Sequence, residues 1–171
     1  MRQVFESDNI RCVQLDESLG HDSLAMVNDM ENVGKLIGST RTFTEEEETE
    51  WVRTKLENNF RIFSMIAKDT GEFIGNIEIM DVEGDETSCE LGICITAKQQ
   101  ERGFGSEAIP AVIRYAAKEY GLKRIMLKVF PFNDRAVHVY EKCGFREYDR
   151  NDVDIFMEIV NKPGEPASGS A

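Results

Sequence analysis

Gln100-Glu101-Arg102-Gly103-Phe104-Gly105-Ser106 decides how this chain is read. It follows a short apolar stretch and opens a long amphipathic one. Glycines at 103 and 105 allow the backbone to turn sharply and to come close to a ligand. The amides of such a loop and of the helical turn after it converge on one spot, with the helix dipole behind them. That is an anion site suited to a pyrophosphate, and Arg102 adds a point charge to it.

Gly103-x-Gly105-x-x-Ala108 also satisfies the dinucleotide-binding fingerprint. Three features oppose a Rossmann reading. The loop follows the fourth expected strand rather than the first, the strands before it form a meander, and too little chain remains for further βαβ units. In addition, Lys123 to Phe130 holds no acidic residue to bind a ribose.

Beyond the loop, Ile109, Val112, Ile113, Ala116, Ala117 and Tyr120 make one apolar stripe, which predicts a helix stopped by Gly121. Pro110 lies in its first turns and removes one backbone bond, so a local kink is expected there, away from the pyrophosphate end. Lys123 to Phe130 predicts a strand with Ile125, Leu127 and Val129 on one face. Asn133 should cap a last helix ending at Gly144, and Phe145 to Val160 two short strands around Asp149–Asp152. On the N-terminal side, Arg61–Lys68, Glu72–Val82 and Ser88–Ile95 predict an antiparallel meander with turns at Asp69–Gly71 and Glu83–Glu86. Before it, Ile10–Leu15 predicts a strand, and Asp22 or Ser23 should cap a helix running to about Met30. Thr44-x-x-Glu47 is a capping box opening a second helix, with Glu45–Glu48 placed where the dipole favours negative charge. The expected order is βααβββαβαββ, an α/β (α+β) fold whose mixed, mostly antiparallel sheet carries helices on both faces.

The chain has 171 residues, 41% hydrophobic and 30% charged. That suits a single globular domain over residues 1–162, with a tail over 163–171 that is disordered or a non-native remnant. No run approaches the ~18 apolar residues of a membrane span, and Met1–Asn9 lacks a signal-peptide core, so a cytoplasmic protein without a membrane partner is expected. The four cysteines form no CxxC pair and no Cys/His cluster, so no metal is expected and the thiols are read as free. A net charge of −12 argues against nucleic acid and favours cationic partners.

Gln100-x-x-Gly103-x-Gly105 resembles the Q/R-x-x-G-x-G/A signature of the GNAT superfamily of N-acetyltransferases. Asn133-Asp-Arg-Ala-Val-His-Val-Tyr140-Glu-Lys-Cys-Gly144-Phe145 is similar to that family's N-x-x-A-x-x-x-Y-x-x-x-G-F segment. The likeness covers Phe60 to about Tyr148. Through Glu90-Leu-Gly-Ile and Gly144-Phe145 it looks nearest the branch of ribosomal-protein N-terminal and spermidine acetyltransferases. It implies an acetyl-CoA-dependent N-acetyltransferase whose two central parallel strands, Ser88–Ile95 and Lys123–Phe130, splay to admit pantetheine. Backbone groups of Ile93, Cys94 and Ile95 would then pair with pantetheine amides and polarise the thioester carbonyl. Gln100, Arg102, Gly103, Phe104, Gly105 and Ser106 would hold the pyrophosphate, and Asn133 would contact the cofactor arm.

Tyr140 matches the family's frequent general acid, which protonates the departing thiolate; the alternative is a half-buried tyrosine on a stripe with Ala136 and Val137. The attacking amine must be neutral, and Glu90 is the first candidate to take its proton, Glu78 the second. Phe43, Trp51 and Phe60 read as packing residues of the N-terminal helices, a region that in the family walls the acceptor pocket. Acceptors implied are polyamines, other amino compounds or protein N-termini. A homodimer is compatible with the family, and an acyl-CoA sensor without catalysis is the competing class.

Overall fold

The computed structural model describes residues 1–81 and 87–160. The turn expected at Glu83–Glu86, the end of the strand expected to reach Val82, and the expected tail lie outside those residues. Among the described residues the chain forms β1 (Gln3–Glu6), β2 (Ile10–Gln14), α1 (Gly20–Val27), α2 (Glu45–Glu57), β3 (Arg61–Ala67) and β4 (Phe73–Met80). It continues through β5 (Ser88–Ile95), α3 (Phe104–Tyr120), β6 (Arg124–Val129), α4 (Asp134–Lys142), β7 (Arg146–Arg150) and β8 (Ile155–Val160). The strands hydrogen-bond in the order β1-β2-β3-β4-β5-β6-β8-β7. The pairs β1/β2, β2/β3, β6/β8 and β7/β8 are antiparallel and β5/β6 is parallel, the mixed sheet that the sequence predicts.

Two expectations need correction. The expected order begins with the strand at Ile10–Leu15, but Gln3–Glu6 adds β1 before it, paired with β2 and with a register shift between Gln3 and Phe5. Its apolar content is only Val4 and Phe5, too short for a periodic signal, and Phe5 seats edge-on against Phe63 at 5.4 Å. The first helix is capped neither by Asp22 nor by Ser23. Asp16 accepts from the Ser18 amide at 2.9 Å and opens a 3-10 turn, Glu17–Leu19, that runs into α1. Ser23 therefore falls inside the helix, buried, and α1 ends at Val27 rather than Met30.

The chain divides into two compact units, Met1–Glu78 with Ile93–Phe104, and Ile79–Gly92 with Gly105–Ala171. In the first, α2 opens on the expected capping box: the Glu47 amide donates to Thr44 Oγ1 at 3.3 Å and the Thr44 amide to Glu47 Oε2 at 2.9 Å. Val13, Leu19, Met26, Val33, Ile66 and Phe73 make one apolar cluster, with Val27 and Cys94 packed against it. Leu15, Val52 and Ile62 make another, covered by Trp51 and Leu56. Each side chain of that size fully removed from water contributes roughly 1.5–3 kcal/mol.

In the second unit β6 pairs with β8 along its whole length, Arg124↔Val160 to Val129↔Ile155. Ile125, Leu127 and Val129 are buried as their alternation predicts. The expected stripe of α3 is buried at Ile109, Val112, Ile113 and Ala116 and half-buried at Ala117 and Tyr120. The helix is unbroken at Pro110. Proline has no N–H to give the Ser106 carbonyl four residues back, and the Cys143 thiol, at the end of α4, reaches that carbonyl at 3.9 Å instead.

Candidate functional site

Each unit carries part of the predicted site. In the first, the end of β5 lies against β4: the Thr96 amide donates to the Ile74 carbonyl at 2.9 Å. A Cβ built on Gly75 would sit 1.9 Å from the Cys94 carbonyl oxygen and 2.9 Å from Ile95 Cα, so only glycine admits this approach. The Cys94 carbonyl and the Thr96 amide are thus turned toward β4. Backbone groups alternate sides along a strand, which turns those of Ile93 and Ile95 away from it. The Ile95 carbonyl accepts from Gln100 Nε2 at 3.0 Å, so Gln100 acts here as a brace for the strand end. Burial pushes the Cys94 thiol up to about 12, leaving it no nucleophile at ordinary pH.

Beyond β5 comes a 3-10 turn, Ala97–Gln99, then the glycine loop. Glu101 at φ 62° and Gly103 at φ 84° are both left-handed, the second at no steric cost. A Cβ on Gly103 would meet nothing within 4 Å, so the loop presents an open face there. Gln99, which no sequence signal marks, is 1% exposed. It donates to Glu72 Oε2 at 3.2 Å and accepts from Arg102. Lys98 pairs with the other oxygen of Glu72, and that hydrogen bond, ahead of the one from Gln99, holds the Glu72 carboxyl below its usual range. Arg102 also lies over the Phe104 ring, 5.1 Å from its centroid, and Phe104 is buried as α3 begins. The loop is therefore strapped to the start of β4 before any ligand arrives.

A chain of buried polar groups in the same unit escaped sequence reasoning. Ser64 Oγ donates to Asn76 Oδ1 at 2.9 Å, and Asn76 Nδ2 donates to Ser23 Oγ at 3.2 Å. Glu48, hydrogen-bonded to Ser23, is buried beside them with Oε1 unpartnered, and desolvation raises its carboxyl. Part of the signal was present: Ser64 interrupts the apolar run from Ile62 to Ala67, and Asn76 stands in a strand whose other polar residue is Glu78.

In the second unit, Glu90 stands on β5 opposite Met126, and its Oε2 meets Lys128 Nζ at 3.3 Å. The parallel ladder runs only from Ser88↔Arg124 to Glu90↔Met126, and β5 continues beyond it. Asn133 caps α4 as predicted, accepting from the Ala136 amide at 3.3 Å. Tyr140 is 8% exposed, with its ring centroid 5.8 Å from that of Phe145. Gly105 is half-buried and Ser106 exposed in the first turn of α3. Among the described residues no group of three or more His, Cys, Asp or Glu is placed to hold a metal ion. No helix among them is long and apolar enough to cross a membrane.

A family model described as an acetyltransferase (GNAT) domain matches residues 13–146. The chain belongs to the GNAT acetyltransferase family. GNAT enzymes use acetyl-CoA as acetyl donor, and the open face of Gly103 ahead of α3 fits a pyrophosphate there. An uncharacterised N-acetyltransferase of Bacillus subtilis, YnaD, is 33% identical over 104 residues, 61% of each chain. The spermidine N(1)-acetyltransferase of Vibrio cholerae is 35% identical over 74 residues, 43% of each chain, in keeping with the branch suspected from the motifs. The matched segments thus span about 40 to 60% of these curated relatives. A crystal structure of the Vibrio cholerae spermidine enzyme with CoA and spermine superposes with a TM-score of 0.80 at 22% identity, over 90% of this chain and 96% of that one. It shares the GNAT fold.

Proposed function

We propose that residues 1–162 form one catalytic domain, an acetyl-CoA-dependent N-acetyltransferase acting on a primary amine of a small cationic molecule, a polyamine or related amino compound. The observation that carries the reading is the end of the parallel ladder at Glu90, with β5 running on to Ile95 and, through one 3-10 turn, into the glycine loop. Ile93 and Ile95 offer the backbone groups for pantetheine and for the thioester carbonyl, while Cys94 contributes by fixing β5 on Gly75. Arg102, Gly103, Phe104, Gly105 and Ser106 hold the pyrophosphate, with Gln100 bracing the loop and Asn133 near the cofactor arm. An acidic surface, at net charge −12, favours a cationic acceptor, as does kinship with a spermidine acetyltransferase.

Both substrates are bound together. The neutral amine attacks the thioester carbon, forming the C–N bond. Glu90 takes the proton from the amine, directly or through water. As the C–S bond breaks, the Tyr140 hydroxyl gives its proton to the leaving thiolate.

The test is thiol release from acetyl-CoA across polyamines, aminoglycosides, amino acids and short peptides. Burial pushes the Cys12 and Cys94 thiols up to about 12 and raises that of Cys143, which keeps them quiet toward a thiol reagent. Turnover is expected with a polyamine. A blank panel, with acetyl-CoA still bound in a calorimeter, would replace this reading with an acyl-CoA sensor.

A further inference from the structure

At the C-terminus of α2 the chain reverses through a Schellman turn. The Phe60 amide bonds the Lys55 carbonyl at 3.0 Å and the Asn59 amide the Leu56 carbonyl at 3.2 Å, with Asn59 left-handed at φ 53°. The turn brings the Phe60 ring over the Lys55 side chain. Lys55 Nζ lies 4.1 Å from the Phe60 centroid and 5.5 Å from that of Trp51, one helical turn earlier. Glu78 Oε1 of β4 closes the third side at 2.5 Å. The ammonium thus meets two aromatic faces and one carboxylate, the surroundings that recognise a desolvated primary ammonium.

Lys55 and Glu78 keep 18% and 17% of their side-chain surface, far less than the exposed ion pairs elsewhere in this unit, such as Arg41–Glu47. Phe60 stays 43% exposed, so the nook opens to solvent along one wall. A helix C-terminus favours a lysine by its dipole, yet that preference needs neither rings nor a carboxylate from another strand. Taking the Lys55 ammonium away leaves an acidic, aromatic-walled recess whose complement is R–NH3+.

We propose that Trp51, Phe60 and Glu78 form a recognition site for a primary ammonium, and that Lys55 occupies it in the free protein as a tethered competitor. The inference rests on the amine-acetyltransferase reading for its physiological ligand, an alkyl di- or polyammonium. Such an acceptor docks one ammonium on Glu78 by displacing Lys55. The carboxylate then serves as an anchor for the substrate, and its partner lysine sets how much ligand is needed to enter.

The probes are n-butylammonium and putrescine, titrated calorimetrically into the whole chain without acetyl-CoA, against Lys55→Met and Lys55→Gln. Both variants keep the stem that packs on Trp51 and remove the competing charge. At least about tenfold tighter binding is expected in both, since a tethered competitor acts at millimolar effective concentration. A second change, Phe60→Ala or Glu78→Gln, should abolish that binding, and n-butanol should not bind. In turnover assays KM for the amine should fall in parallel while kcat is retained. Equal binding by wild type and both lysine variants, or none by any, would overturn the site. Tight binding by Lys55→Met with no amine turned over by any form would uphold the site and sink the transferase reading. Turnover with KM unchanged in both lysine variants would sink the site and leave that reading standing.

Discussion

The two units bury different things. Of the buried polar and charged residues among the described ones, Ser23, Glu48, Ser64, Asn76 and Gln99 belong to Met1–Glu78 and Ile93–Phe104, and only Glu158 to the other unit. Glu158 is paired at both oxygens, gripped by Arg124 Nε at 2.7 Å and Arg146 at 3.2 Å, and those partners, Arg124 first, hold its carboxyl below the usual range. Its neighbours in β6 and β8 are ordinary apolar core. The first unit instead runs a polar chain through its interior and keeps a half-buried ion pair among aromatic rings. Among the described residues only Glu48 Oε1 in that chain lacks a partner, and leaving a buried polar group unpaired costs about 1–3 kcal/mol. On the proposed reading, one unit is the scaffold that carries Tyr140 and Glu90, and the other holds the recognition site proposed at Glu78.

Changes in Gly75 should break that contrast most severely. An added methyl at Gly75 meets backbone, not a yielding side chain, and the backbone it meets is Cys94–Ile95. Gly75→Ala is expected to lose about 3 kcal/mol in urea or thermal unfolding, the upper end for overpacking, and to weaken acetyl-CoA binding with it. Gly121→Ala is the matched control in the other unit. It sits at φ 68° with nothing within 4 Å of the new methyl, so only the conformational cost of about 1–2 kcal/mol applies. Equal losses at the two positions would show that the tight β4–β5 approach is not what Gly75 is for.

The acid role proposed for Tyr140 should separate rate from stability. Tyr140→Phe is expected to lower kcat by well over about tenfold, while acetyl-CoA affinity stays nearly unchanged and stability moves by about 1 kcal/mol or less. An unaltered rate would remove the acid role and leave Tyr140 with its packing against Phe145.

What could be read from the sequence follows the same division. Residues after Gln99 announce themselves because helix caps, glycine stops and the alternation of Ile125, Leu127 and Val129 are local signals. The capping box at Thr44 was legible for that reason too. The network of the first unit was not, because it joins residues up to 53 positions apart, as in Asn76 to Ser23, through side chains whose types occur in any loop. Gln99 reads as solvated turn, and its burial becomes visible only once Glu72 and Arg102 are folded around it. Gly75 looks like a weak point in a strand until β5 is laid beside it. β1 was missed for a plainer reason: with two apolar residues, it exists because β2 offers it an edge.

The smallest effect should come from Glu48, and its sign tests the idea that recognition imposes the polar interior. Desolvation raises this carboxyl above its ordinary value near 4.5, and the bond to Ser23 only partly opposes the shift. A raised carboxyl means that the folded chain holds the proton more tightly than the unfolded one. The resulting stability is fully present below the ordinary value and is lost as pH rises through the folded one. At pH 7.5 Glu48→Gln, which carries no charge to desolvate, should therefore melt higher than wild type by about 2 °C, corresponding to under 1 kcal/mol in a chain of this size. The gain should shrink as pH falls toward 4, where wild type is itself neutral at this position. A variant that is less stable than wild type at pH 7.5 would mean that the carboxylate is satisfied as it stands. The interior of the first unit would then be no less satisfied than Glu158 between its two arginines, and the contrast between the units would reduce to composition.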